Sequence, residues 1–237
     1  MNNKTADMYQ RHWRERGRVS KAGHKGAVVP GSEIFEAAAS ALNGGGTLLD
    51  VGCGDGSFYP CISAKFEHVY GIDIAPEAVN EAQERGMEAV AGDAGGPLPW
   101  KDRYFNSIVC LEVIEHLPDP LAALKEIHRV LKPGGHLVLT TPNIRYFRNL
   151  ARLLFAGEFP RTSTDNFVWG GGHMHYFTRK DIKVLFEAAS FTGISFYLNC
   201  GQFKRSWKRR LARRLVGEKF FGEYFDGSIT VLAYKGD

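Results

Sequence analysis

Apolar and polar positions along this chain alternate between two rhythms, and together they predict a layered α/β protein. Short apolar runs recur at 48–51, 68–72, 87–91, 105–111 and 136–141. Bounded by Gly, Pro and Asp, they read as strands, and the continuous run at 105–111 suits a parallel strand covered on both faces. Between them apolar residues move to helical spacing. Residues 57–66 predict a short helix, and 76–85 a second one that opens on Pro76 and closes before Gly86. Residues 120–131 predict a third, with Leu121, Leu124, Ile127, Val130 and Leu131 on one face, stopped by Lys132-Pro133-Gly134-Gly135. A fourth helix is expected over 178–189, where Thr178 stands three residues before Asp181 in the manner of a capping box. Strands at 194–200 and 228–235 complete the pattern. Strands alternating with helices give a sheet with helices on both faces.

The first strand runs into Gly52-Cys53-Gly54-Asp55-Gly56. Three glycines at alternate positions let the backbone turn sharply and approach a ligand, because no Cβ intrudes. A glycine-rich turn at the carboxyl end of a strand is where α/β proteins hold nucleoside-type ligands. The dinucleotide pattern fails on spacing, since its third glycine would fall on Ser57. It also fails on charge. Asp50 and Asp55 would repel a pyrophosphate, whereas they suit S-adenosylmethionine, which carries a sulfonium and an ammonium and no phosphate. The second strand ends at Asp73, 21 residues beyond Gly52, where a carboxylate can accept ribose hydroxyls. The third ends at Gly92-Asp93-Ala94, which offers a further acid to an adenine amino group.

Four segments in this order resemble the core of the class I S-adenosylmethionine-dependent methyltransferases: LLDVGCGDG, VYGIDIAPEAV, AGDAGGPLPWKDRYFNSIVCLEVIEHLPDP and VLKPGGHLVLTTPN, spread over 47–143. The resemblance implies a Rossmann-like seven-stranded, mostly parallel sheet with an antiparallel last strand. It implies that Asp50, Gly52, Gly54 and Gly56 line the methionine part of the cofactor, with Asp73 on the ribose, Ile74 against the adenine and Asp93 with Ala94 at the adenine edge. Cys53 in the turn and Leu111 at the tip of the fourth strand complete the expected cofactor-binding set.

At 237 residues, 44% hydrophobic and 24% charged, the chain fits one domain spanning 1–237. Its start lacks an apolar leader, and the four cysteines (53, 61, 110, 200) show no CxxC pair. A cytoplasmic protein with reduced thiols is expected, and no metal site. Two regions exceed the bare core: 144–177 on the acceptor side and 201–227 between the last two strands. Connections this long are usually functional. A helix over 5–18, mixing Tyr9 and Trp13 with charges, is expected as a lid.

Charge is local. Residues 203–219 hold eight Lys or Arg and one Glu, while the whole chain carries only +4. Trp207, Leu211 and Leu215 share a face there, imperfectly, with Arg210 and Arg214 beside Trp207. Such a helix suits contact with an anionic membrane or a phosphate-bearing ligand, and equally a solvated face. Ile144, Phe147, Leu150 and Leu154 repeat the theme among Arg145, Arg148 and Arg152.

Candidate acceptor chemistry gathers in two places. After the fourth strand, Leu111-Glu112-Val113-Ile114-Glu115-His116 offers His116 as a general base, with Glu112 or Glu115 to orient it or, as a lesser alternative, to hold a divalent metal with it. In Gly170-Gly171-Gly172-His173-Met174-His175, the glycines permit a hinge, and His173 and His175 project to one side of an extended chain. The form G-H-x-x-x-F before a helix resembles quinone O-methyltransferases and enzymes of polysaccharide or secondary-metabolite pathways, which implies that His173 faces the acceptor.

The leading expectation is therefore O-methylation of a small lipid-like or anionic acceptor. One rival is a nucleic-acid methyltransferase, disfavoured because LEVIEH replaces the Asn/Asp-Pro-Pro-aromatic turn of base-amine methylators. The other is a non-catalytic cofactor-binding partner protein.

Overall fold

A computed structural model of the chain describes residues 33–160, 172–198, 214–215 and 217–237. The expected helix over 5–18, most of the basic 203–219 segment and Cys200 lie outside the described residues.

Seven strands form one sheet in the order β3-β2-β1-β4-β5-β7-β6. They are β1 (Thr47–Val51), β2 (His68–Asp73), β3 (Glu88–Ala91), β4 (Phe105–Leu111), β5 (Leu131–Pro142), β6 (Phe191–Tyr197) and β7 (Ser228–Lys235). β1 to β5 run parallel, while β7 inserts antiparallel between β5 and β6. The order reverses direction between β1 and β4, so the carboxyl ends of those strands flank a crevice.

Helices cover both faces. On one side α1 (Glu33–Ala41), α2 (Tyr59–Ile62) and α3 (Pro76–Glu84) bury Phe35, Ala38, Ile62, Val79 and Ala82 against Leu48, Val109, Val138 and Leu232. On the other, α4 (Pro120–Val130) and α6 (Arg179–Ala188) pack Leu124, Ile127, Ile182 and Phe186 on Leu49, Phe105, Ile108, Leu137 and Leu139. Each such side chain contributes about 1.5–3 kcal/mol when removed from water. Helix starts follow local chemistry. Asp119 caps α4, accepting from the Ala122 N–H at 2.9 Å ahead of Pro120, and Thr178 with Asp181 forms the expected reciprocal capping box of α6.

Three elements depart from the sequence pattern. β5 starts at Leu131, not at His136: Leu131 pairs with Phe105 and His136 with Ser107, and 132–135 bulge out between them. β6 occupies Phe191–Tyr197, three residues earlier than expected. Ser190 (φ 67°) turns the chain directly out of α6, and a register shift between Thr192 and Ser195 breaks the alternation that marks a strand. The apolar stripe of 144–161 forms α5 (Phe147–Ala151) and a wider π-type turn (Arg152–Ala156), yet neither buries a residue.

A further helix, α7 (Glu218–Tyr224), was not foreseen. It is fastened to the end of β5 by Asn143, 1% exposed, whose amide donates to the carbonyls of Gly222, Glu223 and Asp226 at 3.4, 3.0 and 2.9 Å. Arg145 adds an ion pair to Glu223 at 2.9 Å.

Candidate functional site

The tips of β1 and β2 are built as one unit. Gly52 and Cys53 donate their N–H groups to the Ile72 carbonyl at 2.8 and 3.1 Å. The Asp73 carboxylate accepts from Gly54 N–H at 2.9 Å through Oδ2 and from Ala75 N–H at 2.9 Å through Oδ1. Gly52 takes φ 75°, and a Cβ there would meet Val113 Cγ2 at 2.3 Å, so only glycine fits between β1 and the turn after β4. Gly54 and Gly56 also have positive φ, but a Cβ on Gly56 would point at Ala82 of α3, 3.0 Å from its Cα. Gly56 thus serves helix packing as well as the turn.

The acids divide by environment. Asp50 is 2% exposed, and burial, with Asp73 second, pushes its pKa up to about 8. Asp73 is also raised by burial, against the opposing pull of its backbone N–H donors. Asp55 does not join them: Ser57 donates to its Oδ1 from both N and Oγ, and Arg85 reaches its carbonyl at 2.7 Å. That acid ties the turn to α3. Cys53 turns its side chain inward, since a Cβ on Gly71 would meet its Sγ at 2.7 Å.

Ile74 is half-buried beside Asp73. Asp93 accepts from Gly95 N–H at 2.8 Å, holding the loop after β3, and Ala94 is buried in the core with Leu117. Leu111 is half-buried at the end of β4. The expected cofactor-binding positions thus collect along one edge of the sheet. Among the described residues no cationic side chain acts on buried Asp50 or half-buried Asp73, which fits a cationic cofactor there.

Beyond β4 the chain makes a sharp turn. Glu112 adopts φ 56° and donates its N–H to the Thr140 carbonyl at 3.0 Å and hydroxyl at 3.1 Å. A non-glycine residue in the left-handed region stores strain, a feature that clusters at functional sites. Burial lifts the Glu112 pKa to about 7, only partly offset by the Thr140 hydrogen bond. A 3-10 turn (Ile114–His116) follows. Glu115 is 1% exposed, and its Oε2 accepts from Thr141 Oγ1 at 3.1 Å. Burial first, and Glu112 second, hold its pKa well above the carboxylate range.

The segment after the glycine triplet lies against this turn. Met174 and His175 donate their N–H groups to the Glu115 carbonyl at 2.9 and 3.1 Å. His116 Nδ1 meets the Gly172 carbonyl at 3.1 Å, and the His116 and His173 rings make an edge contact at 4.5 Å. His173 Nε2 stands 4.0 Å from Glu115 Oε1. Burial, and then His116, depress the His173 pKa to about 4, so its ring is neutral at pH 7. His173 and His116, 57 positions apart in sequence and read separately there, are thereby brought together. The carboxylate beside them is Glu115 rather than Glu112. The pattern placed both acids on one short turn, and only the left-handed twist at Glu112 decides which one turns toward His173.

A parallel β1–β5 sheet with an antiparallel β7, a glycine turn after β1 and an acid at the tip of β2 defines a class I S-adenosylmethionine-dependent methyltransferase. The chain belongs to the methyltransferase domain family, whose model matches residues 28–195. Among curated proteins it is 36% identical over 123 residues to a ubiquinone biosynthesis O-methyltransferase of Xylella fastidiosa, covering 47% of this chain and 46% of that protein. The chain therefore spans about half the length of the curated relatives it matches. Two solved structures share the fold. A methyltransferase from Thermotoga maritima superposes with a TM-score of 0.62 at 18% identity, covering 97% of this chain and 98% of the other. The phosphoethanolamine N-methyltransferase 2 of Haemonchus contortus, in complex with S-adenosyl-L-methionine, gives 0.64 at 16% identity over 90% of this chain and 55% of the other.

Proposed function

We propose that this protein transfers the methyl group of S-adenosylmethionine to a hydroxyl oxygen of a small, lipid-like or anionic acceptor. The observation that carries the reading is the Glu115–His116–His173 cluster, set beside the glycine turn through the contact of Val113 with Gly52. The similarity to ubiquinone biosynthesis O-methyltransferases over 47% of the chain supports oxygen as the target.

In this reading Asp73 accepts the ribose hydroxyls, Ile74 packs on the adenine, Asp93 and Ala94 flank its edge, and Gly52, Gly54 and Leu111 form the wall. Asp50 answers the positive charge of the methionine end. The cofactor supplies an electrophilic methyl on a sulfonium that becomes a neutral thioether as the methyl leaves. Residues of this chain do the rest. They place the acceptor oxygen in line behind the methyl, exclude water, and receive the hydroxyl proton as the oxygen lone pair bonds to carbon. His173, held neutral, takes that proton on Nε2, while Glu115 and His116 orient its ring and Glu112 shapes the turn that carries them.

A lipid-like acceptor is favoured by the surface after β5. Leu153, Leu154 and Phe155 are 48, 74 and 88% exposed next to Arg148 and Arg152, an amphipathic surface suited to apolar molecules with anionic heads. Incubation with methyl-labelled S-adenosylmethionine and fractionated cell extract tests the proposal. Label in the lipid or small-molecule fraction, as a base-stable ether, is the expected result. Label in RNA, or cofactor binding with no transfer to any fraction, would overturn it.

A further inference from the structure

Arg179 opens α6 and is 8% exposed, yet its Nε and Nη2 atoms are shut off from water and make no hydrogen bond. A guanidinium stays charged at neutral pH, so a buried one without an acceptor is costly. The acids around it leave that cost standing. Burial pulls the Arg179 pKa below the usual guanidinium value, and Asp226 and then Glu223 oppose this only in part, through space. Glu223 is instead paired with Arg145 at 2.9 Å.

The guanidinium is held in place by apolar and backbone neighbours. Its Cζ lies 5.3 Å from the centre of the Phe196 ring, at a cation–π distance. Gly222 of α7 rests against it: a Cβ there would stand 2.3 Å from Nη2 and 2.4 Å from Nη1. Nε and Nη2 are the two nitrogens whose N–H bonds run parallel along one edge of a guanidinium. That fork matches two oxygens of a carboxylate or a phosphate.

Arg179 also stands on the side of the sheet that carries Glu115. Phe177, two residues before it, bridges Asn143 just beyond the carboxyl end of β5. Asn143 in turn donates to the Gly222 carbonyl at 3.4 Å. Thr141, which holds Glu115 Oε2 at 3.1 Å, precedes Asn143 by two residues. It therefore shares a face with Asn143 at about 7 Å along the chain. We propose that Arg179 binds the carboxylate or phosphate group of the acceptor through its Nε–H and Nη2–H fork, while the acceptor hydroxyl lies at His173. Assigning that anion to the acceptor rests on the proposed methyl transfer; the anion site itself does not.

The test uses the full chain, isotope-labelled for NMR and titrated at constant ionic strength with benzoate and, separately, phenyl phosphate. Saturable binding should move the arginine Nε–H resonance that is missing from Arg179→Lys. That variant keeps the charge and loses the fork, so it should bind the anion at least about tenfold more weakly, with S-adenosylmethionine affinity within about threefold. Gly222→Ala, which displaces the guanidinium without removing it, should act in the same direction. The tighter of the two probes identifies the group as carboxylate or phosphate. Equal affinity in the wild type and Arg179→Lys would overturn the proposal. So would the lack of any saturable Nε–H shift in the wild type with either probe, a result that stands even where a variant fails to fold. Anion binding without methyl transfer would sink the proposed function and leave this site intact, and methyl transfer without anion binding would do the reverse.

Discussion

The backbone N–H of Gly54 points at Oδ2 of Asp73, 2.9 Å away, so the turn after β1 is held by the residue expected to hold the ribose. Asp73→Ala removes that acceptor and the one serving Ala75 N–H, along with the ribose contact. At about 1–3 kcal/mol for each buried group left unsatisfied, S-adenosylmethionine affinity should fall by about 100-fold or more. Calorimetric titration checks this, and an unchanged affinity would remove Asp73 from the cofactor site.

Asp50 predicts a pH dependence. Its carboxyl keeps a proton in the folded chain up to about 8, while the unfolded chain loses it near 3.8. The native state thus binds more protons between those values, and stability of the cofactor-free protein should decline as pH rises through them, by up to about 1.4 kcal/mol per pH unit. A cofactor cation beside Asp50 restores the carboxylate, so cofactor affinity should climb with pH below about 8 and level off above it. Asp50→Asn should flatten both profiles, measured by denaturant unfolding and by calorimetry from pH 6 to 9.

Gly52→Ala should cost about 2–4 kcal/mol of stability, combining φ 75° with a Cβ 2.3 Å from Val113 Cγ2. Pairing it with Val113→Ala should recover part of the loss, with a coupling energy of about 1 kcal/mol or more. Strictly additive losses would show that the clash is not the cause.

His173→Ala should lower kcat by about 100-fold or more once an acceptor is in hand, with cofactor affinity unchanged, and His116→Ala should act in the same direction. Equal rates in all three proteins would point to an amine acceptor, which needs no base.

Asn143→Ala strips donors from three carbonyls of the 222–226 turn and an acceptor from Arg145 N–H, 3.0 Å away. A melting temperature lower by about 4–10 °C is expected, together with faster proteolysis near 218–226. Unaltered cleavage would mean that α7 is held by its apolar contacts alone.

Much of this architecture is legible in the chain. Continuous apolar runs mark strands covered on both faces, and Asp119-Pro120 and Thr178 with Asp181 announce their helices through local capping. The misplaced starts of β5 and β6 share a cause: a bulge at 132–135 and another between Thr192 and Ser195 interrupt alternation without ending the pairing. Helix α7 escaped notice because its short 218–224 span lies within a long, mostly basic insertion, and the residue that fastens it, Asn143, lies 75 positions upstream of Glu218.

Taken alone, the sequence determined the order of elements, the glycine turn and the acid at each strand tip, because periodicity and backbone freedom are local properties. Tertiary structure decided which of those groups meet. Asp55 was drawn away by Arg85, 30 residues on, and Glu115 rather than Glu112 came to face His173. Such pairings depend on packing between elements far apart in the chain. So does the burial that lifts Asp50 and depresses His173, since it is the surrounding elements that remove the water which stabilises a charge.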